Sequence, residues 1–354
     1  MIKDKHILIH NIYYMLSYAF TTLHQSIDEE REKEAFENIH NLFAAILSKG
    51  ISRQLKQGLY REYINKAETI PVMRGKINLP ETIQNRISRK QVLTCDYDEL
   101  SVNNTFNQIL KTTSMLLLQH EKVDPAYKNV LKRCMLFFSE VDTIEPSEIR
   151  WSFLRFQRNN QTYRMLLSIC QLILEGMLLT TARGEFKLAS FVDDQRMSRL
   201  YEKFILEYYR KHFHPPLNVN ASRIQWQLDD DESMLLPIMQ SDITLSSGND
   251  ILIIDAKYYS HTTQTQYDVH TLHSQNLYQI YTYVKNKEAE LADKPHKKVA
   301  GMLLYARTDE AIQPDHTYSM SGNKISVKTL DLNRPFDGIA EQLNEIARVH
   351  FSLT

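Results

Sequence analysis

The sequence predicts an α/β protein: a C-terminal half built on a central mixed sheet flanked by helices, preceded by a mixed α+β N-terminal half. Three observations lead there. Apolar runs of strand length at 251–254 and 299–305 are separated by a helical pattern at 274–286, the alternation of a sheet with its covering helices. The turn-forming set Ser246, Ser247, Gly248, Asn249 and Asp250 divides the first of these runs from an earlier one, as a hairpin turn would. The polar stretch 180–187 interrupts a 354-residue chain long enough for about two domains. The expected domains are 1–182 and 183–354.

In chain order, Ile12, Met15, Leu16, Ala19, Phe20 and Leu23 recur at helical spacing and predict an opening amphipathic helix. A second helical pattern runs from about Glu34 through Leu47, with continuation past Gly50 left open. Residues 60–83 read as strand, with Gly75 as turn punctuation, and 91–97 as a further strand. Helices are expected at 103–120, 125–139 and 163–179. In the second half, a helix over 197–213 ends at Pro215 and Pro216. Strands follow at 222–228, 235–245 and 251–259. Beyond the helix at 274–286 come strands at 299–305 and 324–330, and a last helix at 338–348. The charged runs 28–34 and 229–232 read as solvated surface.

Composition narrows the function. Lys+Arg 42 against Asp+Glu 43 leaves a formal charge of -1, so a chain that grips nucleic acid does so through a local basic face or with a partner's help. Cys95, Cys134 and Cys170 are odd in number and lack metal spacing, which fits reduced thiols in a cytoplasmic protein, with Cys170 in the core. No apolar stretch is long enough to span a bilayer; the run 165–179 is broken by Ser168, Gln171 and Glu175. No G-x-x-x-x-G-K-[ST] stretch exists, so this chain does not bind a nucleotide in the P-loop manner. His261, His270 and His273 lack the partners of a zinc site.

The chemistry concentrates around Asp242, Asp255 and Lys257. Alternate residues of a strand share a face, so Asp255 and Lys257 point together, and a hairpin brings Asp242 beside them. An Asp-x-Lys pair alone is as much a structural ion pair as a site. Two carboxylates and an ammonium at one end of a buried sheet are costly unless they act. The set suits Mg²⁺, with Asp242 and Asp255 as ligands and the Ala256 carbonyl as a third, in phosphodiester hydrolysis. Lys257 either holds or deprotonates the attacking water, or steadies the charged phosphate. Glu202, on the helix preceding the sheet, is a further candidate ligand, with exposed surface as its plain alternative. Glu207, five residues on, faces elsewhere. Gln279 and Tyr283, one helical turn apart, can hydrogen-bond the lysine or a phosphate, while Tyr278, Ile280, Tyr281 and Val284 read as packing.

These residues resemble the PD-(D/E)xK nuclease pattern in Asp242 and Asp255-Ala256-Lys257, and Gln279 with Tyr283 is similar to the Q-x-x-x-Y element of its RecB-like branch. Segments across nearly the whole chain resemble the McrC family, nuclease subunits of modification-dependent restriction systems: 11–20, Arg74-Gly75-Lys76-Ile77, Leu200-Tyr201-Glu202-Lys203-Phe204, 255–259 and 273–279. Ser241 stands where the pattern usually has proline. The resemblance implies a restriction-endonuclease-like C-terminal domain that cuts double-stranded DNA bearing modified cytosine with Mg²⁺. It also implies an N-terminal part that docks on an McrB-like AAA+ GTPase ring, which binds the GTP, and stimulates its hydrolysis. Arg74-Gly75-Lys76 is the candidate for a segment inserted into that ring, with an ordinary surface hairpin as the alternative. Two other functions fit part of the pattern: a non-catalytic adaptor of the ring, and a stand-alone RecB-like repair nuclease.

Overall fold

A computed structural model describes residues 3–4, 7–19, 36, 38–156, 161–180, 186–188, 192–230, 234–259, 263–266, 269–293, 297–310 and 312–353. The main elements are α1 (Ile9–Ala19), α2 (Ile39–Gln57), β1 (Glu62–Ile70), β2 (Lys76–Ile77), α3 (Leu79–Ile87), β3 (Leu93–Ser101), α4 (Thr105–Gln119), α5 (Pro125–Met135), α6 (Gln161–Gly176), α7 (Asp194–Phe213), β4 (Asn218–Asn220), β5 (Ile243–Ser247), β6 (Asp250–Lys257), α8 (Ser274–Glu290), β7 (Lys298–Ala306), β8 (His316–Met320), β9 (Asn323–Leu330) and α9 (Phe336–Phe351). They form two compact units. One comprises Met1–Leu42, Glu175–Met177 and Ala189–Thr354; the other comprises Phe43–Leu174 and Leu178–Leu188.

The first unit holds a six-stranded mixed sheet in the order β8-β9-β7-β6-β5-β4. β6, β7 and β9 are parallel, while β4, β5 and β8 run antiparallel to their neighbours. The parallel trio terminates at one end of the sheet, where Lys257 registers with Tyr305 and Tyr305 with Thr329. The crossover from β6 to β7 contains α8, as a parallel connection requires. Ile280, Tyr283 and Val284 of α8 bury against Ile251, Ile253, Leu303 and Val327 of the sheet. Gly301 makes that approach possible: a Cβ there would lie 2.8 Å from both Ile280 Cγ1 and Val284 Cγ2. Tyr278, expected to pack, is instead exposed.

α7 is tied to the sheet and to α9 by buried tyrosines. Tyr201 OH donates to the Leu304 carbonyl at 3.4 Å and Tyr209 OH to the Leu343 carbonyl at 3.0 Å. The N-terminal segment completes the same core. Asn11 Nδ2 donates to the carbonyls of Leu332 (2.8 Å) and Arg334 (2.7 Å), just beyond the last strand. The Tyr18 ring packs on Phe204 and Phe336, each at 5.6 Å between centroids. The compact units therefore do not follow the sequence boundary at 182/183: residues up to 42 cluster with the C-terminal half.

The second unit carries a three-stranded antiparallel sheet, order β1-β3-β2, with Glu62 opposite Ser101 and Lys76 opposite Asp96. Gly75 has φ +67°, and a Cβ there would sit 2.5 Å from the Asp96 carbonyl oxygen. Arg74 lies over the Tyr97 ring at 4.0 Å. The Arg74-Gly75-Lys76 segment is thus laid along its own sheet. The strand reading of 60–83 fails at its end, where α3 begins. Asn78 caps it by accepting the Glu81 N–H at 3.4 Å, and Pro80 occupies its first turn. A buried polar node joins the rest: Tyr163 OH donates to Asn107 Oδ1 at 2.7 Å, and Asn107 Nδ2 donates to the Tyr60 carbonyl at 2.8 Å. Cys95, Cys134 and Cys170 are buried free thiols. Among the described residues no helix is long and apolar enough to cross a membrane.

Candidate active site

The β5–β6 hairpin runs from Ile243 opposite Ile254 to Ser247 opposite Asp250. Asp242 immediately precedes β5 and so arrives beside the last residues of β6. Its Oδ2 accepts the Ala256 N–H at 2.8 Å, which adds one side-chain bond to the end of the ladder. Ser241 fixes the approach: its N–H donates to the Ser222 carbonyl at 3.0 Å, and its Oγ shares a hydrogen bond with Thr244 Oγ1 at 2.8 Å. Anchoring by hydroxyl and amide thus holds the position that the family pattern gives to proline.

Asp255 is only 1% exposed. Its buried Oδ2 lies 2.8 Å from Lys257 Nζ and forms an ion pair with it. Lys257 Nζ donates to Gln279 Oε1 at 3.3 Å, and Gln279 Nε2 donates to Tyr283 OH at 2.9 Å. A continuous polar line therefore runs from the sheet to α8. Asp242, Asp255, Ala256, Lys257, Gln279 and Tyr283 come together as the sequence predicts.

Glu202 on α7 accepts from Ser198 Oγ at 3.0 Å. Burial raises its carboxyl, Ser198 and Lys257 oppose that, and the charge of Asp255 reinforces it, so Glu202 lies within electrostatic reach of the cluster. Glu207 faces away and pairs with Arg210 at 2.6 Å. Burial, then the charges of Asp255 and Glu202, push Asp242 up to about 8. Burial likewise raises Asp255, against the pull of Lys257. For Lys257, burial acts to lower the ammonium, but Asp255 and then Asp242 outweigh it and the net direction is up. Like charges crowded in low dielectric disfavour ionisation, the condition a bound cation relieves.

Ser198 and Asn276 emerge from the structure alone. Asn276 Nδ2 donates to Tyr305 OH at 2.9 Å, beside Lys257 in the sheet. Isolated Ser and Asn residues have no spacing that would single them out. His273 caps the start of α8, with its ring 5.4 Å from that of Tyr259; His261 lies outside the described residues.

Among the described residues, no three His, Cys, Asp or Glu side chains close into a metal cage. Two buried carboxylates, with burial raising both, nevertheless fit Mg²⁺, which keeps several waters and commonly takes one or two protein carboxylates. Fold and site together define an α/β protein with a buried acid–lysine centre at one end of a mixed sheet. The chain matches, over residues 3–306, the family described as McrBC 5-methylcytosine restriction system component, and it belongs to that family. It is 28% identical over 342 residues, 96% of each chain, to the type IV methyl-directed restriction enzyme EcoKMcrBC of Escherichia coli K12. Among solved structures it is similar to a chain of the refined half-complex of Thermococcus gammatolerans McrB AAA+ hexamers with bound McrC. That likeness has TM-score 0.49 and 17% identity, covering 96% of this chain and 76% of that one. A chain of the cryo-EM Thermococcus gammatolerans McrBC complex matches with TM-score 0.40 and 17% identity, over 57% of this chain and 58% of that one.

Proposed function

We propose that this chain is the endonuclease subunit of a modification-dependent restriction complex. It hydrolyses DNA phosphodiester bonds with Mg²⁺ at a PD-(D/E)xK site when engaged by an McrB-like AAA+ GTPase, whose GTP hydrolysis it stimulates. The observation that carries this reading is the meeting of Asp242, Asp255 and Lys257 at one end of the sheet, with Gln279 and Tyr283 behind the lysine. Asp242 and Asp255, with the Ala256 carbonyl and Glu202 as further candidates, hold the ion. Bound there, Mg²⁺ supplies charge neutralisation at the phosphoryl oxygens and an acidified water.

The chain's own groups do the rest. Paired with Asp255, Lys257 keeps its proton, which suits an ammonium that steadies the growing phosphoryl charge. Gln279 turns its carbonyl oxygen to that ammonium because Tyr283 receives its amide. The near-neutral charge suits DNA delivered by a partner, which carries the recognition of 5-methylcytosine-type modification and the GTP. Docking on that partner falls to the part up to about residue 182, chiefly the second compact unit. The family match and the E. coli relative's name support a role in methyl-directed restriction.

The test is cleavage of modified duplex DNA by chain, GTPase, GTP and Mg²⁺ together. Asp255→Ala or Lys257→Ala should abolish cutting and leave stimulated GTP hydrolysis intact. Undiminished cutting by Asp255→Ala ends the proposal. A wild-type chain that stimulates GTP hydrolysis but never cuts is an adaptor, and one that cuts with no GTPase present is a stand-alone nuclease.

A further inference from the structure

A second polar line crosses from the sheet to α8, beside the one that holds Lys257. Tyr305 is the partner of Lys257 in the register of β6 and β7, so the two share a face, and it is buried. Asn276, three residues before Gln279 and on the same side of α8, gives its Nδ2 to Tyr305 OH at 2.9 Å. That donation fixes the amide and turns its Oδ1 to Tyr259, whose OH donates to it at 3.4 Å. Alternation continues past the end of β6. The Tyr258 ring lies 6.3 Å from that of Tyr201 on α7. The Tyr259 ring lies 6.2 Å from Tyr305 and 5.4 Å from His273, on the α8 side with Lys257. Tyr259 is also within electrostatic reach of the Lys257 ammonium.

The first line ends on buried Tyr283, whereas the second ends at the surface. Asn276 and Tyr305 are buried, but Tyr259 is 37% exposed. Packing does not require a hydroxyl there, since a phenylalanine would fill the same place between the rings. The hydroxyl is held by one long bond, and rotation about its C–O bond turns the proton to a better acceptor. A phosphate oxygen is such an acceptor, because its charge shortens and strengthens the bond, and tyrosine is among the side chains that bind DNA phosphates. A stacked base would ask instead for the ring faces, and His273 and Tyr305 lie against the ring. Two residues of extended chain span about 6.5 Å, so a strand whose scissile phosphate lies at Lys257 brings the neighbouring phosphate to Tyr259.

We propose that the Tyr259 hydroxyl binds DNA at the phosphate next to the scissile one and that Asn276 is its positioning residue. This rests on the function proposed above. The test is single-turnover cleavage of modified duplex DNA by the full-length chain with an McrB-like GTPase, GTP and Mg²⁺. It reads two quantities, the concentration of complex that half-saturates cleavage and the maximal rate at saturation. Tyr259→Phe keeps the ring and should keep the wild-type melting profile. It should raise the half-saturating concentration about tenfold and leave the maximal rate unchanged. The factor should be the same for duplexes of different flanking sequence, as a backbone contact requires. Asn276→Ala, assayed well below its melting transition, should raise half-saturation as well, and should add nothing to it in the Tyr259→Phe background. Wild-type half-saturation in Tyr259→Phe overturns the phosphate contact and leaves the proposed function standing, whereas a wild-type chain that never cuts overturns both. A fall in maximal rate alone assigns the hydroxyl to Lys257 and overturns the contact. A loss confined to some flanking sequences assigns it to a base edge and overturns it equally. Losses that multiply in the double variant overturn the positioning role of Asn276.

Discussion

Asp242 accepts the backbone N–H of Ala256 at 2.8 Å, so a carboxylate from outside the strand closes the end of the β5–β6 ladder. That bond holds Asp242 next to Asp255, where the charge of Asp255, added to burial, raises the cost of ionising Asp242. The site is assembled at the expense of the stability of the ion-free protein.

Replacing Asp242 by Asn keeps the shape and an oxygen for Ala256 but removes one crowded charge. Asp242→Asn should raise the melting temperature measured in EDTA, abolish the further rise that Mg²⁺ gives the wild-type chain, and reduce cleavage by about 10³-fold, roughly 4 kcal/mol of barrier. Calorimetry with and without Mg²⁺ checks it. A variant less stable than wild type in EDTA would contradict the crowding argument.

The same crowding sets a pH dependence. Asp242 is raised from an ordinary 3.8 to about 8, so between these values the folded chain binds a proton that the unfolded chain has released. Stability from this group is complete below about 4 and is lost as pH climbs through about 8. Denaturant midpoints in EDTA should therefore fall from pH 5 to 8 more steeply for wild type than for Asp242→Asn, and Mg²⁺ affinity should rise over the same interval.

The relay from α8 predicts graded losses. Tyr283→Phe removes one hydrogen bond, worth about 1 kcal/mol, and should slow single-turnover cleavage roughly 5-fold. Gln279→Leu leaves the buried Lys257 ammonium without that acceptor and should cost about 100-fold, with the partner's GTP hydrolysis unchanged. Equal losses in the two variants would mean that Tyr283 does not act through Gln279.

Gly301 carries a packing prediction. Val at this position would press on Ile280, Val284 and Ile325, all within about 3 Å of the added carbon. Gly301→Val should destabilise the first unit by about 1–3 kcal/mol and lower cleavage by tilting α8 and its Gln279. Calorimetry and the cleavage assay together test it.

Much of the site was legible because its signals are local. Asp255 and Lys257 follow an apolar run on one strand, turn residues return Asp242 to them, and Gln279 and Tyr283 are one helical turn apart. What escaped lacks local signal. β8 is polar and mostly exposed, so it shows no alternation of apolar and polar residues. α3 turns its apolar residues outward, and only the Asn78 cap and Pro80 announce it. The junction of α1 with the C-terminal half depends on Asn11 meeting carbonyls more than three hundred residues away.

That junction bears on how the protein is made. α1 is made well before the carbonyls it grips, at Leu332 and Arg334, more than three hundred residues further along the chain. The first unit of a nascent polypeptide therefore stays unfinished until residue 334 has been added. Premature termination anywhere before residue 332 yields a product without its closing clasp.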